Sequence, residues 1–192
     1  MIEQLAAGGG PSGEWTSAKH YFDYNLDHFE IGTIDAPEWK IEDRSKAAVT
    51  RAVAARAGLW GNHGYEANYD LIYADADGEL LDGARSYEVT FDPPPPVDAF
   101  WSLTMYNVPK YYLVDNPIDR YSLGDRSPGL QYGDDGSVTI YLQASSPGPE
   151  HEANWLPTPA EGNFRPILRS YQPGPSIQDG TYPMPLIHRT GA

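Results

Sequence analysis

Residues 100–141 read FWSLTMYNVPKYYLVDNPIDRYSLGDRSPGLQYGDDGSVTIY and contain the two strand patterns around which the rest of the chain is arranged. Side chains alternate between the two faces of a strand. In FWSLTMY this puts Phe100, Ser102, Thr104 and Tyr106 on one face and Trp101, Leu103 and Met105 on the other. Both faces carry large side chains, which predicts a central strand. SVTIYLQ (137–143) predicts a second strand, entered through a turn whose glycines permit positive φ.

A polar loop joins these two strands. VDNPIDRYSLGDRSPG (114–129) carries three Asp, two Arg and one Asn with little regular periodicity. Such a loop between buried strands predicts either a binding site or a rigid corner. Its candidate ligand-binding residues are Asn116, Arg120, Asp125 and Arg126. The two guanidinium groups either bind a carboxylate ligand in bidentate fashion or pair with the neighbouring carboxylates, as Arg120 and Asp125 would across a turn, and both interpretations stay open.

Aromatic residues supply the remaining candidates for ligand binding. Trp101 and Tyr106 complete the predicted ligand-binding set. The wider set comprises Tyr111, Tyr112, Trp155 and Tyr171. Rings of this kind line a concave sheet face that stacks on sugars or apolar molecules, or they fill the core.

The turn LWGNHGY (59–65) and the strand after it hold the second polar cluster. His63 beside Glu66 is a candidate general base oriented by a carboxylate. With Asp125 these two residues form the candidate catalytic set. A turn histidine satisfied by backbone groups is the alternative, and a G-x-S-x-G nucleophile motif is absent from the sequence.

One amphipathic helix is predicted near the N-terminus. Asp43 or Ser45 caps the run AAVTRAVAARA (47–57), and Gly58 ends it. Val49 and Val53, with Ala57 and Trp60, form its apolar stripe, and Arg51 and Arg56 lie on the solvated side. Residues 1–13, ending in GGGPSG, are expected to be flexible, and residues 14–192 to form a single domain: a helical N-terminal part over 14–60 and a β-sandwich over 61–192.

Further strands follow the helix. They are predicted over 66–74, where Ala67, Tyr69, Leu71 and Tyr73 form a largely apolar face, over 86–91 (SYEVTF), and over 165–171 (RPILRSY). DADG (75–78) is expected to be a hairpin corner rather than a calcium loop. Short strands separated by Gly, Pro and Asp turns predict a mainly β fold, an antiparallel β-sandwich of jelly-roll type.

Composition narrows the classes of function. The net charge of −14 and pI near 4.5 argue against nucleic acid and anionic membranes as partners. Without cysteine, disulfides and thiolate chemistry are excluded. The five histidines are widely spread and no nucleotide-binding motif occurs, so neither a metal site nor a cofactor is predicted. With no membrane-length apolar run and no secretory signal, a cytoplasmic location is expected.

Several blocks, taken in order, resemble the bacterial family called domain of unknown function 1214. They are LWGNHGYEANY, DADGELLDG, YEVTF, PVDAFWSLTMY, NPIDRYSLGDR, LQYGDDGSVTIYLQ, ANWLPTP, FRPILRSY and DGTYPMP, over about residues 51–185. The resemblance implies a jelly-roll-like β-sandwich and frequent oligomerisation, with no assigned activity. In that family a second domain of unknown function, 1254, often precedes this one, and about fifty other residues stand in its place here.

Three functions are compatible with the sequence. The preferred hypothesis is a small-molecule-binding β-sandwich protein, with an enzymatic role in a catabolic or biosynthetic pathway left open. A carbohydrate-binding or carbohydrate-active module needs two carboxylates across an open cleft. A non-catalytic assembly domain would use exposed aromatic surface to form a homo-oligomer.

Overall fold

The computed structural model describes residues 13–17, 43–57, 59 and 61–191. Within these ranges the helices are α1 (Arg44–Ala57), α2 (Pro175–Asp179) and a 3-10 turn at Glu152–Asn154. The strands are β1 (Thr16–Ser17), β2 (Ala67–Leu71), β3 (Ser86–Phe91), β4 (Val97–Asn107), β5 (Ser122–Gly124), β6 (Val138–Gln143), β7 (Trp155–Pro157), β8 (Phe164–Pro173) and β9 (Ile187–Thr190).

The strands form two sheets. The larger sheet has the order β1-β2-β8-β4-β5 and is antiparallel throughout. The smaller sheet has the order β7-β6-β3-β9, in which only the β6–β7 pair is parallel. A mainly β fold is therefore confirmed, while its jelly-roll connectivity stays a prediction.

One hydrophobic core joins the inner faces of both sheets. Leu103 and Met105 of β4 belong to the same buried cluster as Val89 of β3 and Ile140 of β6. The rings of Phe91 and Trp101 approach to 5.6 Å between centroids across the two sheets. Packing of this kind excludes water from both sheets at once, which makes the two layers a β-sandwich.

The strands with the clearest alternation form where the sequence predicts them. β4 includes the whole of FWSLTMY, and its Trp101, Leu103 and Met105 are buried as expected. β3 coincides with SYEVTF, β8 contains the predicted run 165–171, and β6 covers the predicted run 137–143 except for Ser137. The polar loop contains a short strand, β5, that its irregular sequence did not predict. Only three residues long, this strand is too short to show a period.

β2 is turned the opposite way from what its apolar face suggests. Asn68 and Asp70 are 2% and 5% exposed, whereas Tyr69 and Leu71 are half-buried on the outer side. The polar pair is tolerated inside because Asn68 Nδ2 donates to Asp70 Oδ2 at 2.8 Å. Pairing of Asn68 with Ser170 and of Asp70 with Leu168 on β8 fixes this register.

Helix α1 begins as predicted and differs in its apolar stripe. The Asp43 carboxylate accepts hydrogen bonds from the backbone N–H groups of Ser45 and Lys46 at 2.8 and 3.2 Å, so Asp43 is the cap. Val53 is buried, but Val49 is 40% exposed. The apolar contact of the helix therefore lies near its C-terminal end. The predicted end at Gly58, the Trp60 contact and the expected flexibility of residues 1–13, apart from Gly13, lie outside the described residues. The division into a 14–60 part and a 61–192 part stays a prediction.

Candidate functional site

The outer face of the five-stranded sheet carries a row of arginine and tyrosine side chains. On β8, Arg165 and Arg169 lie on the same face, since they are four residues apart. Cross-strand pairing sets Tyr69 of β2 directly opposite Arg169, and Tyr106 of β4 directly opposite Arg165. We call Tyr69, Tyr73, Tyr106, Tyr111, Arg165 and Arg169 the arginine–tyrosine cluster.

Arg169 lies between two tyrosine rings. Its guanidinium carbon is 5.8 Å from the ring centroid of Tyr69 and 5.5 Å from that of Tyr106. Its Nη2 donates to the Tyr106 hydroxyl at 2.9 Å. Each ring contributes a cation–π attraction, and the hydrogen bond fixes the direction of the guanidinium plane.

Arg165 has the same kind of surroundings with different rings. Its guanidinium carbon is 4.1 Å from the Tyr111 centroid and 5.2 Å from that of Tyr73, and its Nη1 donates to the Tyr73 hydroxyl. Burial raises the pKa of Tyr73 to about 12, with help from Tyr111 and against the opposing Arg165 charge. Tyr73 therefore stays protonated and neutral at physiological pH.

The backbone at Tyr111 is held in an unfavourable conformation. Its φ of 58° lies in the left-handed region, which is a genuine outlier for a bulky aromatic residue. The Tyr111 N–H donates to the Asn107 carbonyl at 2.9 Å, which holds the turn. This backbone geometry costs of the order of 1 kcal/mol or more, and it places the Tyr111 ring over the Arg165 guanidinium.

The positive charge of the cluster is not cancelled by a carboxylate of the described residues. Neither Arg165 nor Arg169 forms an ion pair there; the ion pair present in those ranges joins Arg189 to Asp75. Burial also raises the pKa of Tyr69, despite the opposing effect of Arg169. Two guanidinium charges beside neutral phenols thus remain available to an anion, in a chain whose net charge is −14.

The predicted ligand-binding residues are distributed over three places. Tyr106 belongs to the arginine–tyrosine cluster. Trp101 is 2% exposed in the core, and its backbone N–H donates to the Asp125 carboxylate at 3.0 Å. Arg126 lies over the Phe100 ring at 4.2 Å and donates to the Ala99 carbonyl.

Asn116 and Arg120 have local partners within and beside the polar loop. Asn116 Nδ2 donates to the carbonyls of Val114 and Arg120, and its Oδ1 accepts from the N–H groups of Ile118 and Arg120. The Arg120 guanidinium donates to the carbonyls of Glu152 and Trp155. The expected pairing of Arg120 with Asp125 is replaced by these carbonyl contacts. Asn116 and Arg120 thus stabilise the loop as a rigid corner, which the sequence predicted as the alternative to a binding site.

A shallow depression of about 310 Å³ lies beside this corner. It is lined by residues on both sides of β5, namely Ile118, Asp119, Arg120, Tyr121, Ser122, Leu123, Ser127 and Pro128. It is wide open to solvent, and the one guanidinium in its wall already binds backbone carbonyls. It provides less for ligand recognition than the arginine–tyrosine cluster does.

The His63 turn adjoins the cluster. The Tyr69 hydroxyl donates to Asn62 Oδ1 at 3.2 Å, and Asn62 Nδ2 donates to the Glu66 carboxylate at 3.4 Å. The His63 ring stacks on Tyr65 with centroids 5.5 Å apart. Of the candidate catalytic residues, Glu66 is linked to Tyr69 of the cluster through Asn62, His63 stacks on Tyr65, and Asp125 contacts the first half of β4.

Four members of the cluster were not candidate site residues in the sequence: Tyr69, Tyr73, Arg165 and Arg169. A signal was present in RPILRSY, where alternation sets Arg169 on the same face as Ile167 and Tyr171. An arginine inside a strand flanked by tyrosines is unusual for a solvated surface. Its aromatic partners come from β2 and β4, however, and only the sheet order brings them together.

Two further findings concern the described residues alone. Within 13–17, 43–57, 59 and 61–191, no group of three His, Cys, Asp or Glu side chains is arranged to hold a metal ion. None of the helices in this part of the chain is long and apolar enough to cross a bilayer.

The fold and the cluster define a two-sheet β-sandwich with an arginine–tyrosine outer face. The model of a family described as "Protein of unknown function (DUF1214)" matches residues 66–175. This chain belongs to that family, which confirms the resemblance found in its sequence blocks.

Two solved structures are similar to the chain. The crystal structure of the VPA0106 protein from Vibrio parahaemolyticus is 35% identical with a TM-score of 0.65, covering 74% of this chain and 35% of that one. An uncharacterised protein from Burkholderia cenocepacia is 16% identical with a TM-score of 0.44, covering 73% and 32%. The chain spans about a third of the length of each. No curated protein matches it.

Proposed function

We propose that this chain is a small-molecule-binding protein that takes an anionic organic ligand at the arginine–tyrosine cluster. The observation that carries the proposal is the pair of guanidinium groups held between tyrosine rings without an ion-pair partner among the described residues. Guanidinium groups recognise carboxylates by paired charge-assisted hydrogen bonds. Half-buried tyrosine rings beside them supply apolar contact for the carbon skeleton of the ligand.

An enzymatic role for the same site is the extension of this proposal. The His63 turn reaches the cluster through the contact between Asn62 and Tyr69, so a base and a bound anion would be neighbours. In this scheme Arg169 acts as the electrostatic clamp and His63 or Glu66 as the acid–base group. Binding is the property to establish first.

The test compares matched charged and neutral compounds by thermal shift. Benzoate is compared with benzamide, and butyrate with butyramide, because each pair has nearly the same shape and differs in charge. A ligand at about 100 times its Kd adds about 2.7 kcal/mol of stability. We expect the carboxylates to raise the Tm and the amides to leave it unchanged.

Variants locate the binding. Replacing both guanidinium groups, Arg165→Gln together with Arg169→Gln, is expected to abolish the shift, and Arg85→Gln, which alters an exposed arginine in the turn before β3, is expected to retain it. A shift with neutral sugars and none with carboxylates would favour the carbohydrate-binding alternative. No shift with any compound, combined with self-association in sedimentation, would favour the assembly domain.

A further inference from the structure

We infer that the ligand carries two separate carboxylate groups joined by an apolar spacer, one for Arg165 and one for Arg169. The inference rests on the proposed function and specifies its ligand class. The two guanidinium groups on this sheet face can each bind one carboxylate of the ligand. The side chains that lie between them determine which kind of spacer can join the two carboxylates.

The two guanidinium groups have separate surroundings. Arg165 lies against Tyr73 and Tyr111, while Arg169 lies against Tyr69 and Tyr106, so that they share no ring. Their Cα atoms are about 13 Å apart, because a strand advances about 3.3 Å per residue. Arg165 reaches toward Tyr111, beyond the end of β4, whereas Arg169, which is paired with Ser102, reaches toward Tyr106, the β4 partner of Arg165. This arrangement favours two anionic groups over a single one.

Each guanidinium retains hydrogen-bond donors. Arginine has five N–H donors, and Arg169 uses one of them on Tyr106. Arg165 uses Nη1 on Tyr73 and its Nε is buried, so the donors it offers to a ligand lie on its two Nη groups. A carboxylate needs two parallel donors, which either arginine can supply.

An aromatic ring covers the apolar stretch between the two arginines. Ile167 lies between them on β8, paired with Leu71 on β2 and Thr104 on β4, and both Ile167 and Thr104 are buried. The half-buried ring of Tyr106 stands over this stretch, opposite Arg165. A chain of methylene groups or an aromatic ring fits beside such a surface, whereas a hydroxylated spacer would lose hydrogen bonds to water.

Charge balance points the same way. Tyr69 and Tyr73 both have raised pKa values and stay neutral, so the two arginines give the cluster a local charge that a monoanion only half cancels. A partly buried, unpaired guanidinium is costly, and a second carboxylate removes that cost.

Calorimetric titration of the full chain with succinate, adipate, suberate and monomethyl adipate tests the inference. Monomethyl adipate has the length of adipate with one charge removed. We expect adipate or suberate to bind about tenfold or more tightly than monomethyl adipate, since a charge-assisted pair is lost in the ester. Succinate has the shortest spacer of the three diacids and is expected to bind more weakly than adipate or suberate.

Single variants complete the design. Arg165→Gln and Arg169→Gln should each reduce adipate affinity to the level of the monoester, and Arg85→Gln should leave it unchanged. Equal affinity for adipate and its monoester would overturn the dicarboxylate inference while the proposed function stands. Binding of none of these acids while benzoate or butyrate still raises the Tm would also overturn only the inference, whereas binding of neither group of acids would overturn the proposed function. If a variant fails to fold, the comparison of adipate with its monoester on the unaltered chain still decides.

Discussion

At the scale of single residues, polar side chains of the same type differ in the groups that they contact. The amide of Asn116 makes four hydrogen bonds to the backbone of its own loop. Arg120 binds carbonyls, whereas Arg165 and Arg169 contact phenols and have donors to spare. The carbonyl contacts of Arg120 fix its loop, whereas the phenol contacts of Arg165 and Arg169 leave other guanidinium donors unused among the described residues.

Asp75 provides a pH-dependent stabilisation. Its side chain is 1% exposed, and its carboxylate accepts from Arg189 at 2.7 Å and from the N–H groups of Asp77 and Glu79. Desolvation opposes ionisation, but these hydrogen bonds outweigh it and hold the pKa below its usual 3.8. The predicted hairpin corner at residues 75–78 is present, with a bridge between Ala74 and Leu80.

We predict that Asp75→Asn lowers the free energy of unfolding by about 2–3 kcal/mol at neutral pH. Because the folded-state pKa is depressed, this contribution is complete above the unfolded pKa and is lost as the pH falls through the folded one. The difference between wild type and variant should therefore be constant above about pH 5 and shrink below pH 3.8. Urea unfolding at several pH values measures it; a difference that grows with acid would contradict the assignment.

At the scale of elements, the strands with strict alternation could be predicted, and the short ones could not. SYEVTF predicts β3 to the residue because Tyr87, Val89 and Phe91 all face the core. β5 has only three residues, and it forms because its backbone groups pair with those of β4. The orientation of β2 could not be predicted either, since it depends on the buried partners of Asn68 and Asp70.

β5 packs against β4 at a point where only glycine fits. A Cβ atom on Gly124 would lie 2.0 Å from the Trp101 carbonyl oxygen. We expect Gly124→Ala to separate β5 from β4 and to destabilise the chain by about 2–3 kcal/mol. Gly129→Ala is the matched control: its Cβ meets nothing within 4 Å, and its φ of 80° costs only about 1 kcal/mol. Thermal unfolding of both variants measures the difference, and equal Tm values would refute the steric argument.

At the scale of the whole molecule, the candidate site is a product of sheet order. The sequence places Arg165 and Arg169 on one strand, β8. The tyrosine rings that contact them belong to β2, to β4 and to the segments that follow these two strands. Side chains from positions 69 and 169 meet only because β2 and β8 pair. The polar loop 114–129, which the sequence indicated as a possible binding site, forms a rigid corner, and the arginine–tyrosine cluster lies on the larger sheet.

The shared core predicts that both sheets unfold together. Trp101 lies in the larger sheet and Trp155 in the smaller one, and each is 2% exposed. We expect denaturation curves from tryptophan fluorescence and from far-UV circular dichroism to coincide, as in a two-state transition. Variants in which Trp101 or Trp155 is replaced by Phe each remove the contribution of one sheet from the fluorescence of the five tryptophans, and the remaining signal should give the same midpoint relative to far-UV circular dichroism. Two transitions at different denaturant concentrations would show that the layers are separately stable.

The outermost strands of the two sheets are short. Within the described residues β1 has two residues, β5 and β7 have three each, and β9 has four. An exposed long edge invites a second chain to add a strand, which is the usual start of fibrous aggregation, and short edges prevent it. Any self-association of this chain is therefore expected to use side chains on the faces of the sheets and not a strand added at an edge.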